Sequence, residues 1–259
     1  MSSSSSSAHS SVLEAYNLFV SESVLIIDSS LTLSTQIPCG VQMNPQADNM
    51  QKAADEARKT ALDTFGPERP SLAILFEDSK SDRGQQVEKY LLQKHCKSVI
   101  RVDREEFKSR YSFLFEPQDS YIPYPNEILP GLFLGGEITA SKESILALNI
   151  SHVVTCMERK IELPDGVDCL WCSILDDPSA SIEGIIRKAL PFVEDAIRKN
   201  KRVLVHCEQG VSRSVSVVVA YLMKSKSIPA DEAVRTVKSF RPVARPNPGF
   251  MAQLRQLKF

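Results

Sequence analysis

Hydrophobic positions along the first half of the chain follow two alternating patterns. Short runs of consecutive apolar residues, typical of buried strands, are separated by longer stretches in which apolar residues recur at the spacing of an amphipathic helix. Strands that alternate with helices predict a parallel sheet with helices on both sides. The predicted strands are Val24–Asp28, Leu72–Phe76 and Val99–Val102, and the predicted helices are 12–19, 48–65, 85–95 and 105–111.

The same alternation continues in the second half, after a polar, proline-rich segment that has no periodicity. This segment, 116–124, is the predicted linker between two domains, 12–115 and 125–259, and a serine-rich tail of residues 1–11 is expected to be disordered. The predicted fold class is therefore α/β with two domains. The predicted strands of the second domain are Leu132–Gly135, His152–Thr155, Asp168–Ile174 and Val203–Val205, and its predicted helices are 141–148, 182–197, 215–223, 229–240 and 251–257.

Composition narrows the class of protein. The 259 residues are 42% hydrophobic and 24% charged, as in ordinary globular proteins, and no apolar run approaches the length of a transmembrane helix. The N-terminus has no secretory pattern. The six cysteines form no paired framework, which favours a reducing compartment: the cytoplasm, with the nucleus as the alternative. The second half is only slightly basic, so neither nucleic acid nor a membrane is an expected partner.

The segment His206–Ser214 lies between the apolar run Val203–Val205 and the predicted helix that begins near Val215. A strand, a short loop and a helix N-terminus together aim several backbone N–H groups and the positive end of a helix dipole into one hollow. Gly210 permits the tight turn that such a loop needs. The arrangement predicts a binding site for a dianion such as phosphate.

Cys207 and Arg213 are the candidate reactive residues of this loop. A helix N-terminus and a nearby guanidinium stabilise a thiolate, so Cys207 is a candidate nucleophile. Arg213 offers a planar fork of donors to two phosphate oxygens, and Ser214 can donate a hydrogen bond to the Cys207 sulfur. A lone cysteine is usually a small core residue, but here His, Cys, Gly, Arg and Ser fall together at the required spacing.

Cleavage of a phosphate ester also needs an acid that gives a proton to the leaving oxygen. Asp176 and Asp177 are the candidates, because both lie just ahead of the predicted helix 182–197. The alternative explanation is that acids favour a helix N-terminus whether or not they take part in catalysis.

Other polar and sulfur-containing residues are predicted to be structural. Cys169 and Cys172 have the spacing of a metal site, but residues three apart on a strand point to opposite faces, so we predict core positions and no bound metal. His152 is predicted to begin a strand. Arg241 and Arg245 could reach a substrate phosphate, but solvation at the surface is predicted for both.

The loop sequence resembles the H-C-x-x-G-x-x-R-S signature of cysteine-dependent protein phosphatases. The segments Ala220–Met223, Arg241–Pro242 and Pro246–Phe250 are similar to the dual-specificity branch. The resemblance implies a protein-tyrosine-phosphatase-like sheet flanked by helices, and a hydrolase that forms a phosphocysteine intermediate without a metal or other cofactor. The implied phosphate-binding residues are Glu208, Gln209, Gly210, Val211, Ser212 and Arg213, supported by His206.

The resemblance also separates the two candidate acids. The family pattern of a hydrophobic residue, Asp, a polar residue and Pro matches Leu175–Pro178 and implies that Asp176 is the acid, with Asp177 as the alternative. Cys207, Arg213, Asp176 and Ser214 are thus the implied catalytic residues.

The implied function is the removal of phosphate from phosphotyrosine and from phosphoserine or phosphothreonine in proteins. The alternative from another class is a scaffold that binds phosphoproteins with little catalysis. RNA 5′-phosphates or phosphoinositides as substrates are a third option, but Glu208 places an acid where such a pocket needs extra lysines.

The first domain resembles rhodanese-like domains in the order of its elements, with Leu25–Asp28 and Ile37–Pro38 in the positions of that family's opening strand and turn. Its loop 77–84 contains no cysteine, so we expect no sulfurtransferase activity. The two-domain layout resembles mitogen-activated protein kinase phosphatases and serine/threonine/tyrosine-interacting-like proteins. The resemblance implies phosphorylated proteins as partners, kinases among them, although residues 34–51 lack the basic cluster that docks a kinase in the former group.

Overall fold

The computed structural model describes residues 12–17, 25–28, 41–42, 72–77, 83–94, 98–115 and 122–259. The chain divides into two compact units, Met1–Asp119 and Ser120–Phe259, and the division falls inside the predicted linker. The predicted serine-rich tail, the predicted helix 48–65 and most of the linker lie outside the described residues.

The described residues of the first unit form a four-stranded parallel sheet. The strands are β1 (Leu25–Asp28), β2 (Val41–Gln42), β3 (Leu72–Glu77) and β4 (Ser98–Asp103), in the spatial order β2-β1-β3-β4. The described helices are α1 (12–17), α2 (Arg83–Lys94) and α3 (Arg104–Arg110), and a 3₁₀ turn follows (Ser112–Phe115).

Aromatic side chains pack the described core of the first unit. The rings of Tyr16 and Tyr111 stack with their centroids 4.2 Å apart, and the ring of Phe107 contacts both Tyr111 and Phe76. Asp103 caps α3 by accepting a hydrogen bond from the backbone N–H of Glu106. These contacts hold α1 and α3 against β3.

The second unit contains a mixed five-stranded sheet in the spatial order β5-β6-β9-β7-β8. Only β5 runs antiparallel to its neighbour; the other described strands are parallel. The strands are β5 (Asn126–Leu129), β6 (Leu132–Gly136), β7 (His152–Thr155), β8 (Asp168–Trp171) and β9 (Val203–Cys207). The helices are α4 (Lys142–Ala147), α5 (Glu183–Arg198), α6 (Arg213–Lys226), α7 (Ala230–Phe240) and α8 (Pro248–Gln256), with a 3₁₀ turn (Glu137–Ala140) after β6.

The central strand β9 ends at Cys207, where the predicted anion-binding loop begins. All five of its residues are buried, and α6 follows after a short loop. The register pairs Gly136 with Cys207 and Thr155 with His206, so the carboxyl ends of β6 and β7 lie beside the loop. Ligands bind at this edge of parallel sheets because helix N-termini face it.

Apolar helix faces close the core around this sheet. The side of α5 that sequence periodicity predicts to be apolar, including Ile185, Ile186 and Val193, is buried, and α6 is buried from Arg213 to Met223. Within the described ranges no helix is long and apolar enough to cross a membrane.

Several predicted elements differ from the structure: strand β9 continues to Cys207, beyond the predicted end at Val205, and helix α6 spans Arg213–Lys226, not 215–223. Strand β5 was not predicted, because Asn126 and Glu127 are polar yet buried and no apolar pattern marks them. Strand β8 ends at Trp171, not at Ile174. Helix α8 begins at Pro248, three residues before the predicted start, because Asn247 caps it and proline fits the first turn.

Candidate active site

The loop between β9 and α6, residues 207–213, is called the phosphate loop below. Backbone carbonyls on four successive loop residues each accept a hydrogen bond from a donor that precedes or follows the loop in sequence. The Glu208 carbonyl accepts from the Glu137 N–H at 3.0 Å, and the Val211 carbonyl accepts from the Arg245 N–H at 2.7 Å. The carbonyls of Gln209 and Gly210 accept from the Arg241 guanidinium at 3.0 and 2.7 Å.

These bonds determine where the loop amides point. In a trans peptide the N–H points opposite to the carbonyl of the preceding residue. With the carbonyls of residues 208–211 turned outwards, the N–H groups of residues 209–212 turn to the inner side of the loop. The Gly210 N–H shows this direction directly, because it donates to the Cys207 sulfur at 3.2 Å.

Gly210 makes the sharp turn of the loop possible. Its φ of +67° lies in the left-handed region, and a Cβ there would fall 2.4–2.6 Å from backbone atoms of Gly135 and Gly136. A side chain at this position therefore conflicts with the backbone of β6 as well as with its own conformation.

The Cys207 sulfur is buried at the bottom of the loop, with 1% of the residue exposed. Ser214, in the first turn of α6, donates its hydroxyl to the sulfur at 3.1 Å, alongside the Gly210 N–H. The helix start and the serine predicted beside the sulfur are therefore both present, and two hydrogen-bond donors point at the sulfur.

Arg213 lies at the rim of the loop with its guanidinium almost fully buried. It donates through Nη2 to Glu208 Oε2 at 3.2 Å and through Nη1 to the Ile174 carbonyl at 3.4 Å. The Nε atom is buried, has no hydrogen-bond partner among the described residues and lies 3.8 Å from Asp176 Oδ2. The side chain of Glu208 is two-thirds exposed, so this ion pair is weak and readily exchanged.

The two candidate acids occupy different environments. Asp176 Oδ1 accepts hydrogen bonds from the Ser212 hydroxyl at 2.7 Å and from Asn247 Nδ2 at 2.8 Å, which places the carboxyl beside the phosphate loop. Asp177 instead accepts from the backbone N–H and hydroxyl of Ser179. Those bonds hold the pKa of Asp177 below its ordinary value and join its carboxyl to Ser179, whereas Asp176 is bonded to the phosphate loop.

His206 is a buried neutral residue behind the loop. Its Nε2 lies 2.9 Å from Thr155 Oγ1, in hydrogen-bond contact with the next strand. Burial lowers the pKa of His206 to about 4, so the ring carries no charge at neutral pH. Its position beside Cys207 fits the supporting role that the sequence implies.

Comparison with known proteins identifies the family. Residues 132–258 match the dual specificity phosphatase catalytic domain. Dual specificity protein phosphatase 1 of Arabidopsis thaliana is 38% identical over 136 residues, which cover 52% of this chain and 69% of that protein. The chain belongs to the dual specificity phosphatases.

A second relative and a solved structure agree with this assignment. Dual specificity protein phosphatase 5 of Homo sapiens is 39% identical over 173 residues, which cover 62% of this chain and 45% of that protein. The crystal structure of a mouse dual specificity phosphatase complexed with zinc tungstate is similar with a TM-score of 0.50 and 33% identity, covering 54% of this chain and 88% of that one. The enzyme is thus a protein-tyrosine/dual-specificity phosphatase, which dephosphorylates tyrosine, serine and threonine residues of proteins.

Arg241 supports the phosphate loop, and its position was predicted wrongly. It is not a solvated surface arginine: besides the two loop carbonyls, it donates to Asn126 Oδ1 at 2.9 Å, and its burial lowers its pKa. Its charge lies close enough to Cys207 to interact with it electrostatically. Arg245 is exposed as predicted, and its backbone N–H donates to the loop.

Core positions are predicted for both Cys169 and Cys172, and the structure confirms this for one of the two. Cys172 is buried, but Cys169 is exposed on β8, which lies at the edge of the sheet. In the described part of the chain no group of three or more His, Cys, Asp or Glu residues is placed to hold a metal ion. His152 begins β7, as predicted.

Asn247 is a further site residue that the sequence did not predict. It caps α8 through its Oδ1, donates its side-chain N–H to Asp176 and donates its backbone N–H to Ser212 Oγ at 3.0 Å. An Asn directly before Pro248 is a helix-start signal, which could have indicated the cap but not the contact with Asp176, 71 positions away.

Proposed function

We propose that the enzyme cleaves phosphate monoesters in two steps, with Cys207 as the nucleophile. The sulfur attacks phosphorus, an S–P bond forms and the bond from phosphorus to the leaving oxygen breaks. The inward N–H groups of the phosphate loop and the Arg213 guanidinium bind the remaining phosphoryl oxygens. The observation that carries this proposal is the loop itself: four carbonyls turned outwards, with the sulfur held at its base by Gly210 and Ser214.

The buried Nε of Arg213 supports binding of an anion at this place. Buried donors are almost always hydrogen-bonded. A donor that finds no hydrogen-bond partner in the described part of the chain, at the rim of a loop of inward N–H groups, therefore suits a phosphate oxygen. The mouse relative was crystallised with tungstate, which is a tetrahedral oxyanion like phosphate.

We further propose Asp176 as the acid of the first step. Two donors hold its Oδ1, so Oδ2, which lies 3.8 Å from the Arg213 Nε, is the oxygen that carries the proton to the leaving oxygen. In the second step water attacks phosphorus, the ionised Asp176 takes the water proton, and the S–P bond breaks. The Ser214 hydroxyl stabilises the departing thiolate.

Two substitutions test this mechanism and separate an enzyme from a phosphoprotein scaffold. We expect Cys207→Ser to abolish turnover of an aryl phosphate while the protein still binds tungstate, measured by calorimetry. We expect Asp176→Asn to lower kcat at least about 100-fold for phosphotyrosine. Undiminished turnover by Cys207→Ser would contradict the mechanism. Negligible turnover by the unsubstituted enzyme in a reducing buffer would favour the scaffold.

For the first unit we propose a rhodanese-like domain without sulfurtransferase activity. The described strands form an all-parallel sheet in the order β2-β1-β3-β4. The match to the human relative covers 62% of the chain, more than the second unit alone supplies. We expect no conversion of cyanide to thiocyanate by the full chain. Robust conversion would overturn the proposal.

We propose phosphorylated proteins as partners and the cytoplasm, or the nucleus, as the compartment. Of the described cysteines, Cys156, Cys169, Cys172 and Cys207 are all free thiols, and a reducing compartment would keep the nucleophile reduced. Fractionation of cells that express the tagged chain tests the location, and enrichment in a secreted or membrane fraction would contradict it.

A further inference from the structure

The acid Asp176 lies on a surface segment that another element holds in place. This segment, 176–182, is called the acid loop below, and it connects the region after β8 to α5. Much of it is exposed, and a loop of this kind is mobile unless something outside it fixes its backbone. Besides the Ser212 hydroxyl and bonds within the loop itself, the first two turns of α8 hold it.

Gln253 of α8 binds the acid loop through both ends of its side-chain amide. Its Nε2 donates to the Ala180 carbonyl at 2.8 Å, and its Oε1 accepts from the Ile182 N–H at 2.9 Å. Ile182 is the N-cap position of α5 and has no side chain that could cap the helix. Gln253 therefore supplies partners for backbone groups that the acid loop cannot satisfy itself.

Gly249 allows α8 to approach the acid loop this closely. A Cβ at Gly249 would lie 1.8 Å from the Pro178 carbonyl oxygen, so any side chain there would push the loop away. Asn247, at the start of the same helix, donates to the Asp176 carboxyl itself. Contacts from three successive parts of α8 thus span the acid loop from its beginning to its end.

We propose that Gln253 is a positioning residue that holds Asp176 over the phosphate loop in the geometry for proton transfer. Gln253 does not touch the reacting atoms; it acts through the backbone of the acid loop. This inference rests on the proposed function, because it requires Asp176 to be the acid.

The leaving group provides a readout that distinguishes positioning of the acid from general support of the fold. A nitrophenolate leaves without much help from an acid, whereas the phenolate of phenyl phosphate needs a proton as it leaves. A variant that displaces the acid therefore slows phenyl phosphate far more than 4-nitrophenyl phosphate. A variant that only weakens the fold slows both substrates equally.

The experiment compares kcat/KM of the full chain on these two substrates for Gln253→Ala, Gln253→Met and the control Gln256→Ala. Gln256 is an exposed glutamine at the end of the same helix. We expect both substitutions at Gln253 to cost roughly 10-fold or more on phenyl phosphate and less than about 2-fold on 4-nitrophenyl phosphate, and the control to change neither. Gln253→Met keeps the length of the side chain, so it still tests the proposal if Gln253→Ala does not fold.

Two further variants separate failure of this inference from failure of the mechanism. Asp176→Asn should show the same selective loss, and adding Gln253→Met to it should cost nothing more on phenyl phosphate, because the acid is already absent. If Asp176→Asn slows phenyl phosphate selectively and Gln253→Met does not, the proposed role of Gln253 is wrong, while Asp176 remains the acid. If Asp176→Asn slows both substrates equally, Asp176 is not the acid, and the proposed role of Gln253 is then wrong as well.

Discussion

At the scale of single residues, the shape of the phosphate loop depends on a cation outside it. The guanidinium of Arg241 donates to two carbonyls of the loop and to Asn126 on β5, through all three of its nitrogens. A lysine offers a point charge and cannot reproduce this planar set of donors. Arg241 therefore holds the carbonyls of the loop in their outward orientation and so keeps the loop amides pointing inwards.

We predict that Arg241→Ala lowers the free energy of unfolding by about 2–4 kcal/mol, because three charge-assisted hydrogen bonds are lost and buried acceptors remain unpaired. Activity on an aryl phosphate should fall with it, and Arg241→Lys should recover only part of both. Urea unfolding and kcat/KM measure the two effects. Arg245→Ala is the matched control, since its side chain is exposed and its bond to the loop comes from the backbone N–H, which the substitution keeps. Equal losses in the two variants would contradict the role of Arg241.

At the scale of elements, the turn of the phosphate loop packs so closely against the end of β6 that no side chain fits between the two backbones. Gly210 combines a left-handed φ with a close approach to Gly135 and Gly136. Gly166 has a similar φ of +81° but no neighbour within 4 Å of its missing side chain. Comparing alanine substitutions at Gly210 and Gly166 therefore separates the free-energy cost of the left-handed conformation from the cost of the close approach to β6.

We predict that Gly166→Ala destabilises the enzyme by about 1–2 kcal/mol, the ordinary cost of a left-handed residue with a Cβ. Gly210→Ala should cost clearly more and should abolish both turnover and tungstate binding, because the loop must move away from β6. Thermal unfolding and calorimetry measure these effects. Similar stability and retained activity in the two variants would show that the close packing is not required.

The elements also show what the sequence can and cannot predict. Periodicity indicates the apolar face of α5, and the motif around Cys207 indicates the loop, because both signals are local. Contacts such as Asn126 with Arg241, 115 positions apart, or Ala180 with Gln253, 73 positions apart, leave no local signal. Arg241 was therefore predicted at the surface, and β5 was not predicted because its buried Asn and Glu read as polar.

At the scale of the whole molecule, the second unit holds every residue of the proposed site and its own continuous hydrophobic core, which extends from Ile128 to Leu257. The fold class of this unit followed from the sequence because the loop motif and the order of elements agree. The first unit lacks a comparable motif, so the sequence predicts its sheet but not its function.

The buried neutral His206 makes the stability of this unit depend on pH. Its pKa is about 4 in the folded state and near 6.5 when unfolded, so the unfolded chain binds more protons at acidic pH. Its contribution is complete above about pH 7 and is lost as the pH falls from 6.5 towards 4. We predict that the free energy of unfolding drops by about 2 kcal/mol more in the wild type than in His206→Gln between about pH 7 and pH 4.5. Parallel urea titrations at both values measure this, and an equal drop would contradict it.

The proposed mechanism depends on a covalent bond between Cys207 and phosphorus, and trapping that bond tests it most directly. Ser214→Ala should slow breakdown of the intermediate by about 10-fold, because the departing thiolate loses a hydrogen bond. The enzyme is mixed with an aryl phosphate, quenched within one turnover and digested for mass spectrometry. We predict one added phosphoryl group on the peptide that contains Cys207, more abundant in Ser214→Ala than in the wild type and absent in Cys207→Ser. Turnover with no phosphoryl group on this peptide, or with the group on another residue, would contradict the mechanism.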